Sequence, residues 1–366
     1  MSQKVVAYVV TEALVKASSL LPSNKGRSFL VHTLASALGF FDKSRGYSNI
    51  LVFRPSPASR SDLCLYHDTD YMILIFTLAN QEALLSSRAP NDASSFGLED
   101  DCSFFEGLQQ YCVLVAGATL SAVKVLKHVD ISIVWDGGRH HAGKSRASGY
   151  CYINDVNLGI LSLRQLKPRP RVMYIDLDLH YPNGVADAFQ TQTAQTASVL
   201  ILSIHHASAG FYPASPNALL PAAGTPHLHT LSIPLAQGAT NATFHRIWKS
   251  CVQPVKEAFC PEFIIVQCGV DGLAGDPCGV FNWGLDLNDE GSLGWCVNEC
   301  LSWELRTVLL GGGGYNSANA ARAWAYLTSI ACGSPLTLGD PIPDHPNFPQ
   351  YGPSFTMEVD VGSFSD

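Results

Sequence analysis

The chain has 366 residues, of which 47% are hydrophobic and 15% charged, and its formal net charge is −8. This composition excludes disordered and fibrous proteins and is typical of a globular protein with a large core. The sequence has no basic tail and no cluster of Lys and Arg, so we expect no direct sequence-specific binding of nucleic acid. A mildly acidic surface tolerates, and can favour, a cationic substrate.

The eleven cysteines are an odd number and include no CxxC pair. This pattern predicts free thiols in a reducing compartment, so we expect an intracellular protein of the nucleus, the cytoplasm or both. Residues 5–10 are apolar, but Glu12 follows at once, which favours a first core strand over a signal peptide. No apolar run approaches the ~20 residues that span a membrane, so no membrane association is expected.

Short apolar runs rich in Val, Ile and Leu predict strands that are buried on both faces. They are residues 5–10, 50–53, 131–135, 172–177, 199–204, 263–267 and 307–310. Helical stretches are predicted at 106–128, 152–166, 243–259, 288–306 and 316–331, and long loops at 84–101, 205–226 and 272–287. The alternation predicts an α/β fold in which a central parallel sheet has helices on both faces. We expect one domain spanning residues 1–366.

Polar clusters follow four of these predicted strands, at the point where each strand ends. The clusters are residues 136–141, 176–180, 268–271 and 311–315. Open parallel sheets bind ligands outside the carboxyl ends of their strands. If the four strands are neighbours, the clusters therefore converge on one crevice.

Asp176, Asp178 and His180 alternate along the second cluster. Side chains two residues apart in a strand share a face, and carboxylate and imidazole groups are ligands for a divalent metal such as zinc. Asp178, His180 and Asp271 would supply three ligands and leave a fourth position open for water. The alternatives are a strand that runs into a polar loop and, for Asp271, a cap or turn.

The adjacent His140 and His141 fit a general base and its support, although a loop or core role is the alternative. Asp176, one step deeper than the ligands, would be costly to bury without a partner, and His140 is the natural one. The histidines at 205, 206, 227 and 229 have no second cluster beside them. We interpret them as structural or loop residues.

The glycine run 311–314 lets the backbone approach a ligand closely. A phosphate-binding loop would need GxxxxGK[ST], which is absent. Tyr315 follows the run and offers a phenolic donor that suits an oxyanion.

Five motifs, in this order, resemble those of the zinc-dependent histone deacetylases. They are WDGGRHHA at 135–142, ASGYCYIND at 147–155, DLDLH at 176–180, CGVDGLAGDP at 268–277 and LGGGGYN at 310–316. The resemblance covers nearly the whole chain and is greatest to the short class I members. It implies an arginase/deacetylase α/β fold, zinc as cofactor, and hydrolysis of N6-acetyl-lysine in proteins such as histones. It also implies a corepressor-type complex as a partner.

The resemblance assigns zinc to the same three residues, Asp178, His180 and Asp271. It makes His141 the general base and acid, Tyr315 the oxyanion donor, and His140 with Asp176 a supporting dyad. It also implies a structural potassium ion near five residues: Asp176, Asp178, His180, Ser203 and Ile204.

Substrate-binding positions follow from the same resemblance. Gly149, Tyr150 and Tyr212 match the walls of a narrow tunnel for the lysine stem, and Asp101 matches a carboxylate at its rim. Arg27 matches a basic residue of an inner channel thought to pass acetate. The implied substrate-binding set also includes two further positions, Cys278 at the rim and Gly313.

Several residues depart from the class I pattern. Tyr181-Pro-Asn-Gly replaces His-Gly-Asp-Gly, so Asn183 stands where a carboxylate would pair with His141, and we expect His141 to be less basic. The other departures are Tyr150 and Tyr212 for Phe, Arg139 and Cys278 for apolar residues, and Asp100 for Tyr. They bear on substrate preference more than on the reaction.

Three alternatives remain open at this point. The substrate could be an acetylated polyamine or another small amide, for which the acidic pair Asp100 and Asp101 is suited. An arginase-type binuclear manganese hydrolase would need bridging carboxylates, but Leu177 and Leu179 occupy those positions. A catalytically silent scaffold subunit is the third alternative, based on the departures at Pro182 and Asn183.

Overall fold

The computed structural model describes residues 4–79, 94–190, 197–220 and 229–359. Its sheet has eight strands in the order β2-β1-β3-β8-β7-β4-β5-β6, and every neighbouring pair is parallel. The strands are Val6–Val9 (β1), Ile50–Phe53 (β2), Ile131–Val134 (β3), Val172–Asp176 (β4), Val199–His206 (β5), Thr230–Leu235 (β6), Phe263–Gln267 (β7) and Arg306–Leu310 (β8). The parallel α/β sheet predicted from the sequence is confirmed.

Strand β6 is missing from the sequence prediction. It contains Pro234 and lies at the edge of the sheet, where a residue without an N–H is tolerated. Most of its residues are only partly buried, so the apolar signal that identified the other strands is weak here.

The α-helices of the described residues are Glu12–Ser18 (α1), Arg27–Ala37 (α2), Arg60–Leu63 (α3), Thr69–Ala79 (α4), Leu108–Val125 (α5), Asp155–Arg164 (α6), Asn183–Phe189 (α7), Asn241–Ile247 (α8), Gln253–Phe259 (α9), Leu293–Ser302 (α10) and Ser317–Ala331 (α11). The sequence analysis predicted neither α1–α4 nor α7. The single helix predicted at 243–259 is divided into α8 and α9 by a π-helical turn, Trp248–Val252, just before Pro254. Because proline cannot donate the helical hydrogen bond, this departure from regular geometry is expected there.

The core lies on both faces of the sheet. Strand β4 sends Met173 and Ile175 to one hydrophobic cluster, and Val172 and Tyr174 to the other, and all four are fully buried. Helices α10 and α11 pack on the first face, while α5 and α6 pack on the second. Burial on both faces explains why the strands read as continuous apolar runs.

Helix α5 is the one helix among the described residues that could cross a membrane by its length and composition, and 78% of it is buried inside the protein. The statement that no apolar run reaches such a length was therefore wrong for this segment. Contacts with β1, β3 and α6 make it a core helix.

Asp155, the first residue of α6, fixes the loop that follows β3. Its Oδ2 accepts hydrogen bonds from Gly138 N at 3.0 Å and from the Thr119 hydroxyl, and its Oδ1 accepts from Arg139 N at 2.7 Å. A carboxylate in the first turn also interacts favourably with the helix dipole. Since His140 and His141 come next in the chain, this fully buried group positions both histidines.

Replacing Asp155 with Ala should lower the free energy of unfolding by about 3 kcal/mol or more, because buried donors lose a charged acceptor. Urea denaturation measures this change. Asp62→Ala is the matched control: its carboxylate also accepts two hydrogen bonds, from Ser59, but it lies near the surface. The expected loss there is about 1 kcal/mol, and equal losses in the two variants would contradict the anchoring role of Asp155.

Candidate metal centre and active site

The four strands that end in polar clusters are neighbours, in the order β3-β8-β7-β4. Residues that follow three of them line one cavity, together with residues from two other segments. The lining is Ser23, Asn24, Gly138, Arg139, His140, His141, Gly149, Tyr150, Cys151, Asp178, His180, Gly312, Gly313 and Tyr315. Asp271, which follows the fourth strand, contacts His180 at this site. Asp136 belongs to the same clusters but is turned elsewhere, since its Oδ2 lies 2.9 Å from His32 Nε2.

Asp178, His180 and Asp271 are brought together as the sequence predicted. Nδ1 of His180 lies 3.4 Å from Asp178 Oδ1 and 2.9 Å from Asp271 Oδ2. Each carboxylate has a second oxygen held by the backbone: Gly313 N donates to Asp178 Oδ2 at 2.8 Å, and Leu179 N donates to Asp271 Oδ1 at 3.0 Å. Two buried carboxylates thus face one imidazole nitrogen.

Glycines let these carboxylates lie directly against the backbone. A Cβ at Gly269 would lie 2.0 Å from Asp178 Oδ2, and a Cβ at Gly313 would lie 2.1 Å from Asp271 Oδ2. Any side chain at either position would therefore displace a carboxylate. The close approach predicted for the glycine run is present, and the set of oxygen and nitrogen donors fits zinc.

The electrostatic surroundings of Asp178, His180 and Asp271 favour positive charge. Burial raises the pKa of Asp271 to about 6, and the neighbouring Asp178 adds to this shift. Burial opposes the charged form of His180, but hydrogen bonds with Asp178 and Asp271 outweigh it and raise the pKa of His180 to about 10. The surroundings therefore stabilise positive charge where a cation would bind.

His140 is paired with Asp176, as predicted. Its Nδ1 lies 2.8 Å from Asp176 Oδ2, and the Tyr174 hydroxyl donates to the same oxygen at 2.6 Å. Burial lowers the pKa of His140, but the Asp176 charge outweighs this effect and the net shift is upward. Tyr174, which the sequence analysis did not identify, helps to satisfy the buried carboxylate.

His141 has a neutral partner. Its Nδ1 lies 2.7 Å from Asn183 Oδ1, at the start of α7. Because the amide oxygen is an acceptor, the imidazole proton lies on Nδ1 and Nε2 keeps its lone pair. Burial, together with His140 and His180, lowers the pKa of His141 well below its usual value of 6.5, so the ring is neutral.

Tyr315 is held by a residue that the sequence analysis missed. The backbone N–H groups of Tyr315 and Asn316 donate to Oδ2 of the buried Asp276, at 2.7 and 3.3 Å. Asp276 belongs to the quoted motif at 268–277, but it acts on backbone groups, which leave no side-chain pattern to read. Burial and the carboxylate of Asp271 raise the pKa of Tyr315 well above 10, so the phenol stays protonated.

Arg27 binds backbone carbonyl groups of the glycine run. Its guanidinium donates to the carbonyls of Gly314 at 2.8 Å and Gly312 at 3.0 Å, and lies over the ring of Trp324 at 4.8 Å. Arg139 is equally buried and donates to the Asp136 carbonyl. The acetate-channel role of Arg27 stays a prediction.

Tyr150 lines the cavity, and Tyr212 lies next to Gly149, another of the lining residues. The Tyr150 ring meets Tyr315 edge to face at 5.9 Å, and the Tyr212 ring meets His141 at 5.0 Å. The Tyr212 hydroxyl is 2.5 Å from that of Ser148, beside Gly149.

The remaining predicted positions lie at the rim and in the sheet. Gly149 N donates to the exposed Asp101 at 3.0 Å. Ser203 lies beside Asp176 in the register of β4 and β5, and Ile204 follows it. The potassium site stays a prediction. His205 and His206 contact the backbone carbonyls of Ala218 and Leu235.

Comparisons with known proteins identify the family. Residues 21–331 match the histone deacetylase domain. Histone deacetylase 8 of Danio rerio is 36% identical over 359 residues, which are 97% of this chain and 88% of that protein. Histone deacetylase 8 of Xenopus tropicalis is 36% identical, covering 91% of this chain and 85% of that protein, and histone deacetylase 19 of Arabidopsis thaliana is 33% identical, covering 92% and 63%. The chain therefore belongs to the histone deacetylase family as a class I-like member, a hydrolase that deacetylates acetyl-lysine.

Proposed function

We propose that this chain hydrolyses N6-acetyl-lysine in proteins, such as histone tails, with one zinc ion held by Asp178, His180 and Asp271. The observation that carries the proposal is the convergence of two buried carboxylates on His180 Nδ1. A divalent metal supplies Lewis acidity there, since it polarises a carbonyl and lowers the pKa of water to about 7.

His141 is the group that moves the proton. Its Nδ1 proton is held by Asn183, so Nε2 is the atom that accepts a proton from the attacking water. The same nitrogen then returns the proton to the departing lysine amine. His140, held by Asp176, positions this ring, because the two imidazole centroids are only 4.0 Å apart.

Tyr315 acts on the acetyl carbonyl. Its phenol is protonated and its backbone is fixed by Asp276, so the side chain can donate a hydrogen bond to the carbonyl oxygen as negative charge develops. A donor fixed before the reaction costs no reorganisation during it.

The apolar lysine stem would pass between Tyr150 and Tyr212, beside Gly149 and Gly313, with Asp101 at the rim. We also infer that residues 1–366 form one catalytic domain, because the segment after α11 folds back on that helix: Arg322 donates to the carbonyls of Tyr351 and Thr356. A corepressor-type complex, a location in the nucleus or the cytoplasm, and the potassium ion belong to the same proposal.

Turnover of acetyl-lysine peptides, compared with acetylated polyamines, tests the function. We expect about one zinc per chain, faster hydrolysis of the peptides, and loss of activity on chelation with recovery on zinc addition. Faster hydrolysis of polyamines would favour the small-amide alternative. A stable chain without zinc or turnover would overturn the mechanism and favour the scaffold alternative.

The Tyr315→Phe variant should lower kcat by ~10²–10³, because the carbonyl loses its fixed donor. Steady-state kinetics measures the effect, and circular dichroism checks the fold. Tyr150→Phe is the matched control, since its ring also borders the site but its hydroxyl has no assigned role. Similar losses in the two variants would remove the specific role of Tyr315.

The Asn183→Asp variant should move the acidic limb of the kcat/KM profile to higher pH. A carboxylate beside His141 stabilises the imidazolium and raises the pKa of His141, and the base works only when it is neutral. The control is Asn217→Asp, an exposed position on another segment. An unshifted limb would show that residue 183 does not tune His141.

A further inference from the structure

Cys278, which was expected at the rim of the tunnel, lies beside two of the proposed zinc ligands, His180 and Asp271. Its Sγ, a ring nitrogen of His180 and a carboxylate oxygen of Asp271 are all within 4.8 Å of one another. The side chain is partly buried, and both His180 and Asp271 belong to the predicted zinc set. The three groups are therefore close enough to share one ion, and Asp178 Oδ1 lies 3.4 Å from Nδ1 of the same His180.

The backbone holds the thiol in this position. Cys278 N donates to Asp276 Oδ1 at 3.0 Å, and Gly279 N donates to the Asp276 carbonyl at 2.9 Å. Oδ2 of the same carboxylate accepts from Tyr315 N at 2.7 Å. One buried side chain therefore holds the backbone at both Cys278 and Tyr315.

The geometry is compatible with coordination. Zinc binds sulfur at about 2.3 Å and nitrogen or oxygen at about 2.0–2.2 Å, which places tetrahedral donors roughly 3.5 Å apart. Because no two of these atoms are more than 4.8 Å apart, the donors need to approach by no more than roughly 1.3 Å, which small side-chain rotations can supply.

We propose that Cys278 is a reversible fourth ligand of the metal, an inference that rests on the zinc site proposed above. Binding would break the S–H bond and release its proton to solvent, because a coordinating thiol is deprotonated, and a metal–sulfur bond would replace the metal–water bond. With Asp178, His180 and Asp271 the metal then has four protein ligands. Four-ligand sites are closed, whereas catalytic sites keep a position open. Cys278 would therefore give a resting state from which water displaces sulfur, with the thiolate taking back a proton from solvent.

Cobalt spectroscopy tests this directly on the full-length protein. The chain is stripped of metal and loaded with Co²⁺, and the near-ultraviolet absorption is recorded. We expect a sulfur-to-cobalt charge-transfer band in the wild-type protein, its loss in Cys278→Ser, and its retention in Cys64→Ser, a partly buried cysteine outside the cluster. Competition with a chelator provides a second readout, in which Cys278→Ser should lose its cobalt at lower chelator concentrations than the wild type.

The outcomes separate the two proposals. Stoichiometric cobalt without the band, or a band that persists in Cys278→Ser, overturns sulfur ligation and leaves the zinc site standing. Failure of the wild type and of Cys278→Ser to bind cobalt or zinc overturns the metal site itself, and the sulfur ligand with it.

Discussion

Burial of like charge at Asp178 and Asp271 is the constraint on which the rest of the site depends. Two carboxylates that share one imidazole in the interior are costly unless their remaining oxygens are hydrogen-bonded. Backbone N–H groups of Gly313 and Leu179 supply those bonds, and they reach the oxygens because glycines stand where a Cβ would collide. The ends of β4, β7 and β8 are thus fixed around a place that stabilises a cation.

Two further buried aspartates hold the loops that surround this cluster. Asp155 holds the backbone before the histidine pair, and Asp276 holds the backbone at Tyr315. Two buried guanidiniums, Arg27 and Arg139, bind loop carbonyls on the other side, and burial together with the nearby Arg139 lowers the pKa of Arg27 to about 10. Both arginines remain charged at neutral pH, so the loops around the cavity are held by opposite charges as well as by hydrogen bonds.

The sequence predicted those parts of the site that can be recognised from side-chain type and from position after a strand. Asp178, His180 and Asp271 follow strands buried on both faces, and parallel strands end at one edge of the sheet. Asp276 could not be recognised as an anchor, because it acts on backbone groups. The edge strand Thr230–Leu235 has neither the burial nor the apolar continuity of the others. The location of Cys278 beside the ligands depends on how a long loop folds back, which local pattern does not encode.

Two of the departures from the family pattern, Asn183 and Cys278, lie beside groups that the proposed mechanism uses. Asn183 gives His141 a neutral partner, and its amide still fixes the ring so that Nε2 keeps the lone pair. Cys278 places a soft donor near the position that substrate would occupy. In the proposed mechanism both features would slow formation of the nucleophile, Asn183 through the basicity of His141 and Cys278 through the fourth position of the metal. Because the proposed ligands, the His140–Asp176 pair and Tyr315 are all retained, the two features would adjust the rate and the resting state of the proposed reaction without removing any of its parts.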